Sequence, residues 1–335
     1  MTGATGFIGS HTCVELLKAG FELSGIDNFY NSKPIVTDYI KKISGKDIIV
    51  YKVDIRNKDG LRKVFEKENP ECVIHFAGLK SISESIKFPL TYYDNNIVGT
   101  IYLCKVMKEF KVNKIIFSSS ASIYGNGKAP FTENSPIFPD FLSLNNKINT
   151  YAKTKFMIEQ ILFDIPELSV VVLRYFNPVG SHASKLLCES PNGIPNNLMP
   201  RILQFAANEI NELTIFGNDY PTLDGTCIRD YIHVTDLALG HVSALKFISS
   251  KINQKEVFNL GTGKGTSTLE LIKIFEKTND IKLNYKFGQR RSGDAAICYA
   301  STEKSLKLLN WQAKFDVPKM CFDAWQAKNL FSSNS

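Results

Sequence analysis

A chain of 335 residues with 44% hydrophobic content is long enough to bury a substantial core, as one large domain or two. It has no run of 18 apolar residues and no charged-then-apolar leader, and its net charge of +7 comes from lysines spread through every segment; neither a membrane span nor a nucleic-acid stripe is expected. Seven cysteines without a Cys-x-x-Cys pair argue against a disulfide scaffold or a zinc site, and a cytoplasmic protein is expected.

The chain opens on the glycines Gly3, Gly6 and Gly9, with Phe7 and Ile8 between them, running into a helical pattern that ends at Gly20. Such spacing permits a tight turn and lets a pyrophosphate approach amides at a helix N-terminus. An apolar strand over 21–26 ends in Asp27, at the distance where an acidic residue holds the ribose hydroxyls of NAD. One part is short: only Met1 and Thr2 precede Gly3, so the strand expected before such a loop is read as truncated, with loss of central-strand burial.

Alternation continues with a helix over 35–43, a strand over 48–53, a helix over 61–65 and a strand over 72–76. Repeated alternation implies a doubly wound parallel α/β sheet with ligands at the carboxyl ends of its strands. There Asp54 and Ile55 reach toward an adenine, and Phe76, Ala77, Gly78 and Lys80 toward a nicotinamide, unless each is an ordinary turn residue. One long helix is expected over 92–110, carrying Asn95 and Asn96. A strand over 114–117 then runs into the serines 118–120, where Ser120 can bond a reacting hydroxyl.

The stretch TYAKTK, 150–155, opens an apolar-periodic run and reads as the first turns of a helix. Tyr151 and Lys155, four apart, share a face, and a cation beside a phenol favours the phenolate, which makes a general base. A second Tyr-x-x-x-Lys, Tyr124 with Lys128, encloses Gly125-Asn126-Gly127 and is turn chemistry instead.

Beyond a strand over 170–173 the pattern loosens, with a helix over 199–207 and a strand over 213–216. Residues 177–229 and 262–335 read as a smaller substrate-covering domain, and 1–176 with the returning 230–261 as the sheet domain. Gly261 to Gly265 lacks phosphate-loop spacing and reads as a connection. His75 and His233 read as hydrogen-bonded core residues.

The runs GFIGSHTC (6–13), HFAGLK (75–80), YYDNN (92–96), FSSS (117–120), RYFNPVG (174–180), GIPNNLMP (193–200), IFGNDYP (215–221) and RDYIH (229–233) together resemble the UDP-glucose 4-epimerases, a family of extended short-chain dehydrogenases/reductases. The resemblance covers nearly the whole chain. It implies a Rossmann-type fold and an NAD-dependent isomerase with Tyr151 as base, Lys155 as its electrostatic partner and Ser120 on the sugar. It also implies NAD held by Gly3, Gly6, Gly9, Asp27, Asn28, Asn31, Ser32, Asp54, Ile55, Phe76, Lys80, Asn95 and Tyr175. A UDP-sugar would contact Asn177, Asn197, Leu198, Phe216, Arg229, Arg291 and Asp294.

Cys298 falls where the family sets pocket width, and a small residue there implies that N-acetylhexosamines are also accepted. A homodimer built from the helices near Tyr92 and Tyr151 is implied too. The segment between Pro139 and Thr150 is longer than in bacterial members. Two alternatives remain: a 4,6-dehydratase, for which Ser119-Ser120-Ala121 lacks the needed acid, and an NAD-binding regulator without catalysis.

Overall fold

The computed structural model describes residues 1–137, 149–190, 195, 197–250, 252–291 and 294–332. The expectations for the 139–150 segment and for Gly193, Ile194 and Asn196 lie largely outside these residues.

Short β-branched runs pair in parallel. On one side, Ser24–Asp27 pairs with Ile49–Lys52. On the other, Val73–His75, Lys114–Ser120, Ser169–Tyr175 and Lys255–Leu260 lie side by side in that order. The two blocks are joined by the first residues of the chain: Thr2 bridges both Ile26 and His75. Its amide donates to the Ile74 carbonyl at 3.0 Å, and the Ile26 amide donates to the Met1 carbonyl at 2.7 Å. The strand read as truncated is thus represented by two residues, and they fill the middle of the sheet.

Because side chains alternate along a strand, the sheet feeds two cores. Ile115, Phe117, Val170 and Val172 point to one face with Leu103 and Leu162, while Ile116, Val171, Leu173, Phe258 and Leu260 point to the other with Leu16 and Leu237. Leu309 and Trp311, from the tail of the chain, join this second face rather than the remote part of the molecule. A separate core gathers Met199, Ile202, Leu213, Ile215, Leu271, Phe275 and Met320.

Two elements differ from their sequence reading. The strand at 114 continues through Ser120, so the serines belong to it and are buried or half-buried. The single helix expected over 92–110 is broken into Pro89–Tyr92, a π-helical turn Tyr93–Val98 and Gly99–Glu109. Wide turns of this kind occur where side chains must be re-aimed. Among the described residues, no helix is long and apolar enough to cross a membrane.

Candidate active site

Asn149 caps the helix Thr150–Asp164, its side chain accepting from the Ala152 amide at 2.8 Å. That sets Tyr151 in the first turn and Lys155 in the next, both buried against the sheet. Ser120, the last residue of its strand, interacts through its side chain with the Tyr151 phenol. Lys155 Nζ donates to the Ser118 carbonyl at 2.7 Å and lies 4.8 Å from the centre of the Phe117 ring. Strand end and helix face therefore bring Ser120, Tyr151 and Lys155 into one cluster at the carboxyl edge of the sheet.

The electrostatics of the cluster correct one expectation. Burial pushes the Tyr151 phenol up to about 12, with the Ser120 hydrogen bond opposing it. Burial brings Lys155 down to about 8, with the Glu159 carboxylate opposing it. The lysine does not draw the phenol toward neutrality in the chain by itself: its ammonium is turned to the Ser118 carbonyl, 5.8 Å from the tyrosine ring centre, and desolvation wins.

At the opposite side of the same edge lies a cradle. Gly3 has φ +67°, and a Cβ there would meet the Ala77 amide at 2.8 Å; a Cβ on Gly9 would meet the Gly3 carbonyl at 2.0 Å. The helix Phe7–Lys18 starts directly above, with no side chain capping its first turn at Gly6. Phe7 and Ile8 open that helix.

Asp27 is largely occupied by its own loop, accepting from the Thr5 and Phe29 amides at 3.0 and 2.9 Å and from Ser32 Oγ at 3.3 Å. Asn31 precedes Ser32 on the same turn. Asn28 donates to Asp54, and the Arg56 guanidinium grips Asp54 on both oxygens, holding its carboxyl well below the usual range. Ile55 is buried next to it. Burial pushes the Tyr175 phenol up, the Ser118 side chain opposing it, and Phe76 packs on His241 at 4.7 Å. Lys80 reaches across the cleft to Glu189 at 2.8 Å.

The residues expected at a UDP-sugar group differently. Asn177 begins a short strand paired with Tyr231–His233, and Asn197 and Leu198 start the helix Leu198–Ala206. Cys298 pairs alongside Arg229, and burial raises its thiol to about 11. It packs into the cluster holding Ala121 and Ala152, each one residue from Ser120 and Tyr151. Arg229 stands 3.9 Å from Asp294, and the Arg291 guanidinium lies 4.0 Å over the Phe216 ring.

Further buried polar groups surround the cluster, of which Glu159 and Arg174 were not singled out from sequence. Asn96, fully buried in the π turn, accepts from the Leu79 amide at 2.8 Å and donates to the Leu79 carbonyl and to Thr154 Oγ1, both at 3.1 Å. Asn95 donates to the same Asn96 oxygen. Glu159 and Arg174 form a buried pair at 2.6 Å directly beneath the cluster. The signal for Glu159 was its place four residues after Lys155.

A model of the NAD-dependent epimerase/dehydratase family matches residues 1–261. The chain is 48% identical to a UDP-glucose 4-epimerase of Bacillus subtilis, over 97% of this chain and 95% of that protein. It superposes with a TM-score of 0.95 on a UDP-glucose 4-epimerase from Stenotrophomonas maltophila with bound NAD and formylated UDP-arabinopyranose, 41% identical, covering 100% of this chain and 98% of that one. With the Bifidobacterium longum enzyme in complex with NAD+ and UDP, the TM-score is 0.92 at 44% identity, over 99% of this chain and 98% of the other. Glycine cradle, phenol–ammonium cluster and this likeness over the full length agree, and the chain belongs to the NAD-dependent epimerase/dehydratase family.

Proposed function

We propose that the chain interconverts UDP-galactose and UDP-glucose by inverting carbon 4 of the hexose, with NAD as resident cofactor. The observation that carries this reading is the convergence of Ser120, Tyr151 and Lys155 at the sheet edge, with a glycine turn so closely packed that a Cβ at Gly3 or Gly9 would strike the protein's own backbone. Gly3, Gly6 and Gly9 would hold the pyrophosphate on the helix amides, with Asp27 and Asn28 at the adenosine end. Bound there, NAD would supply an oxidised ring able to accept the carbon 4 hydride and give it back.

The chain's own part is proton handling and grip. Tyr151 accepts the proton of the 4-hydroxyl, Ser120 orients that hydroxyl, and Lys155 supplies the positive charge that a phenolate needs. Arg229 and Arg291 suit the diphosphate, because planar guanidinium forks bind phosphate oxygens in pairs. Holding the substrate by its nucleotide leaves the hexose free to turn between the two halves of the reaction. The site would lie between the sheet domain and the smaller unit formed by 177–229 and those parts of 262–335 that do not, like Leu309 and Trp311, pack on the sheet.

Purified protein incubated with UDP-galactose should yield UDP-glucose; no conversion would refute the reading. The side chain of Cys298 is smaller than an aromatic one, and we infer that UDP-N-acetylglucosamine is also a substrate. Its failure to react where UDP-galactose does would remove that specificity. A homodimer is the inferred assembly, because Phe88, Leu90 and Met157 on or beside the helices at the cluster are exposed. The inferred compartment is the cytoplasm.

A further inference from the structure

Beneath the catalytic cluster lies a buried ionic layer that the reaction as described does not use. Tyr151, Lys155 and Glu159 stand four apart on one helix and form a single stripe: phenol, ammonium, carboxylate. Glu159 is fully buried and Arg174 nearly so, and their pair at 2.6 Å is supplemented by Arg174 Nε to the other carboxylate oxygen at 3.1 Å. Arg174 is held in turn by the Tyr124 hydroxyl and the Glu133 carbonyl, each at 3.1 Å.

The carboxylate also reaches sideways. Ser119 Oγ donates to Glu159 at 2.5 Å, and Ser119 lies opposite Arg174 in the strand register. Its two neighbours are the working parts of the strand: Ser118 supplies the carbonyl that anchors Lys155, and the Ser120 side chain interacts with the Tyr151 phenol. A buried charge pair is no strong source of stability, since desolvation offsets its attraction; placement of what it touches is its better-attested use.

We propose that Glu159, locked by Arg174, is a positioning residue: through Ser119 it fixes the strand end that carries the anchor of Lys155 and the neighbour of Tyr151, and it sets a buried carboxylate one helical turn from the Lys155 ammonium. Lys155 faces the Phe117 ring and Ser118 carbonyl from the strand, a neutral, buried His75 from the next strand, and Tyr151 and Glu159 from its own helix. Among these, Glu159 is the negative charge. The consequence for turnover rests on the epimerase reading; the consequence for Lys155 does not.

The test uses the NAD-loaded protein and two variants. Ser119→Ala leaves the ion pair intact and cuts only its tie to the strand. Turnover of UDP-galactose should fall at least about tenfold with KM unchanged, as expected when reacting groups lose alignment. Wild-type turnover in this variant overturns the positioning role. Glu159→Gln keeps the shape and removes the charge. The 15N resonance of Lys155 Nζ, assigned by its loss in Lys155→Met, should then titrate about one pH unit lower than in wild type.

An unchanged Lys155 titration overturns the electrostatic half of the proposal. Removing the charge strands a buried guanidinium, and should Glu159→Gln fail to fold, Glu159→Gln with Arg174→Met removes both charges; Lys155 should still titrate lower than in wild type, by less than in Glu159→Gln because the farther guanidinium is gone as well. If wild type does not convert UDP-galactose at all, the epimerase reading falls, while the titration still decides what Glu159 does to Lys155.

Discussion

Tyr151 and Lys155 are each pushed by burial toward the uncharged form, the phenol to about 12 and the ammonium to about 8. Both shifts oppose the ion pair that proton transfer requires, so the charged state must be assembled with help from other groups at the site. At pH 7 the lysine is protonated, and its charge is lost as pH climbs through about 8. Turnover should therefore decline on the alkaline side from that point; a kcat profile flat from pH 7 to about 10 would contradict the need for the ammonium. Tyr151→Phe should lower kcat by about 10²- to 10⁴-fold, the usual worth of a positioned general base, while bound NAD, followed by its absorbance after release, stays stoichiometric.

At the scale of elements, the glycine turn proposed to seat the nucleotide is defined by what cannot be added to it. A methyl group on Gly9 would sit 2.0 Å from the Gly3 carbonyl, a distance only backbone movement can relieve. Gly9→Ala should therefore yield protein that purifies without NAD and melts at a lower temperature; full NAD content would show that the helix start is not the cofactor's seat. The π turn at Tyr93–Val98 does the opposite work, adding a residue's worth of slack so that Asn96 can meet both polar groups of Leu79 and the hydroxyl of Thr154.

What could be read in advance follows from the range of the interactions concerned. Strand and helix positions are set by short-period apolar patterns, and the face shared by Tyr151 and Lys155 follows from helical spacing alone. The π turn carries no such period, and Asn96 is buried for reasons that sit 17 and 58 residues away. Likewise Lys80 meets Glu189 across 109 residues, and nothing local in HFAGLK marks that partner. The serines at 118–120 lay beyond the apolar run, yet the strand extends through them because Ser169–Tyr175 continues to pair alongside.

For the whole molecule, exposed apolar side chains near the cluster bear on assembly. Leu90 is 79% and Phe88 52% exposed at the foot of the broken helix, with Met157 exposed on the helix of the catalytic lysine. A self-complementary contact through these helices would cover them. On the homodimer proposed above, Leu90→Glu should shift the sedimentation mass to that of one chain, with turnover per site retained if each cluster is complete in itself; an unchanged mass would place any interface elsewhere.

Asp230 shows how little of this architecture is modular. Its buried carboxylate takes the amides of Thr262, Gly263 and Ala300 and the Thr262 hydroxyl, tying the Gly-rich turn after one sheet strand to a segment 70 residues further from itself. Just beyond that turn's origin, Lys255–Leu260 forms the outer rung beside Ser169–Tyr175. The polypeptide is laced rather than beaded: an amino-terminal fragment ending before residue 230 would lack a wall of its own interior, and nicking the chain there would release no autonomous nucleotide-binding piece.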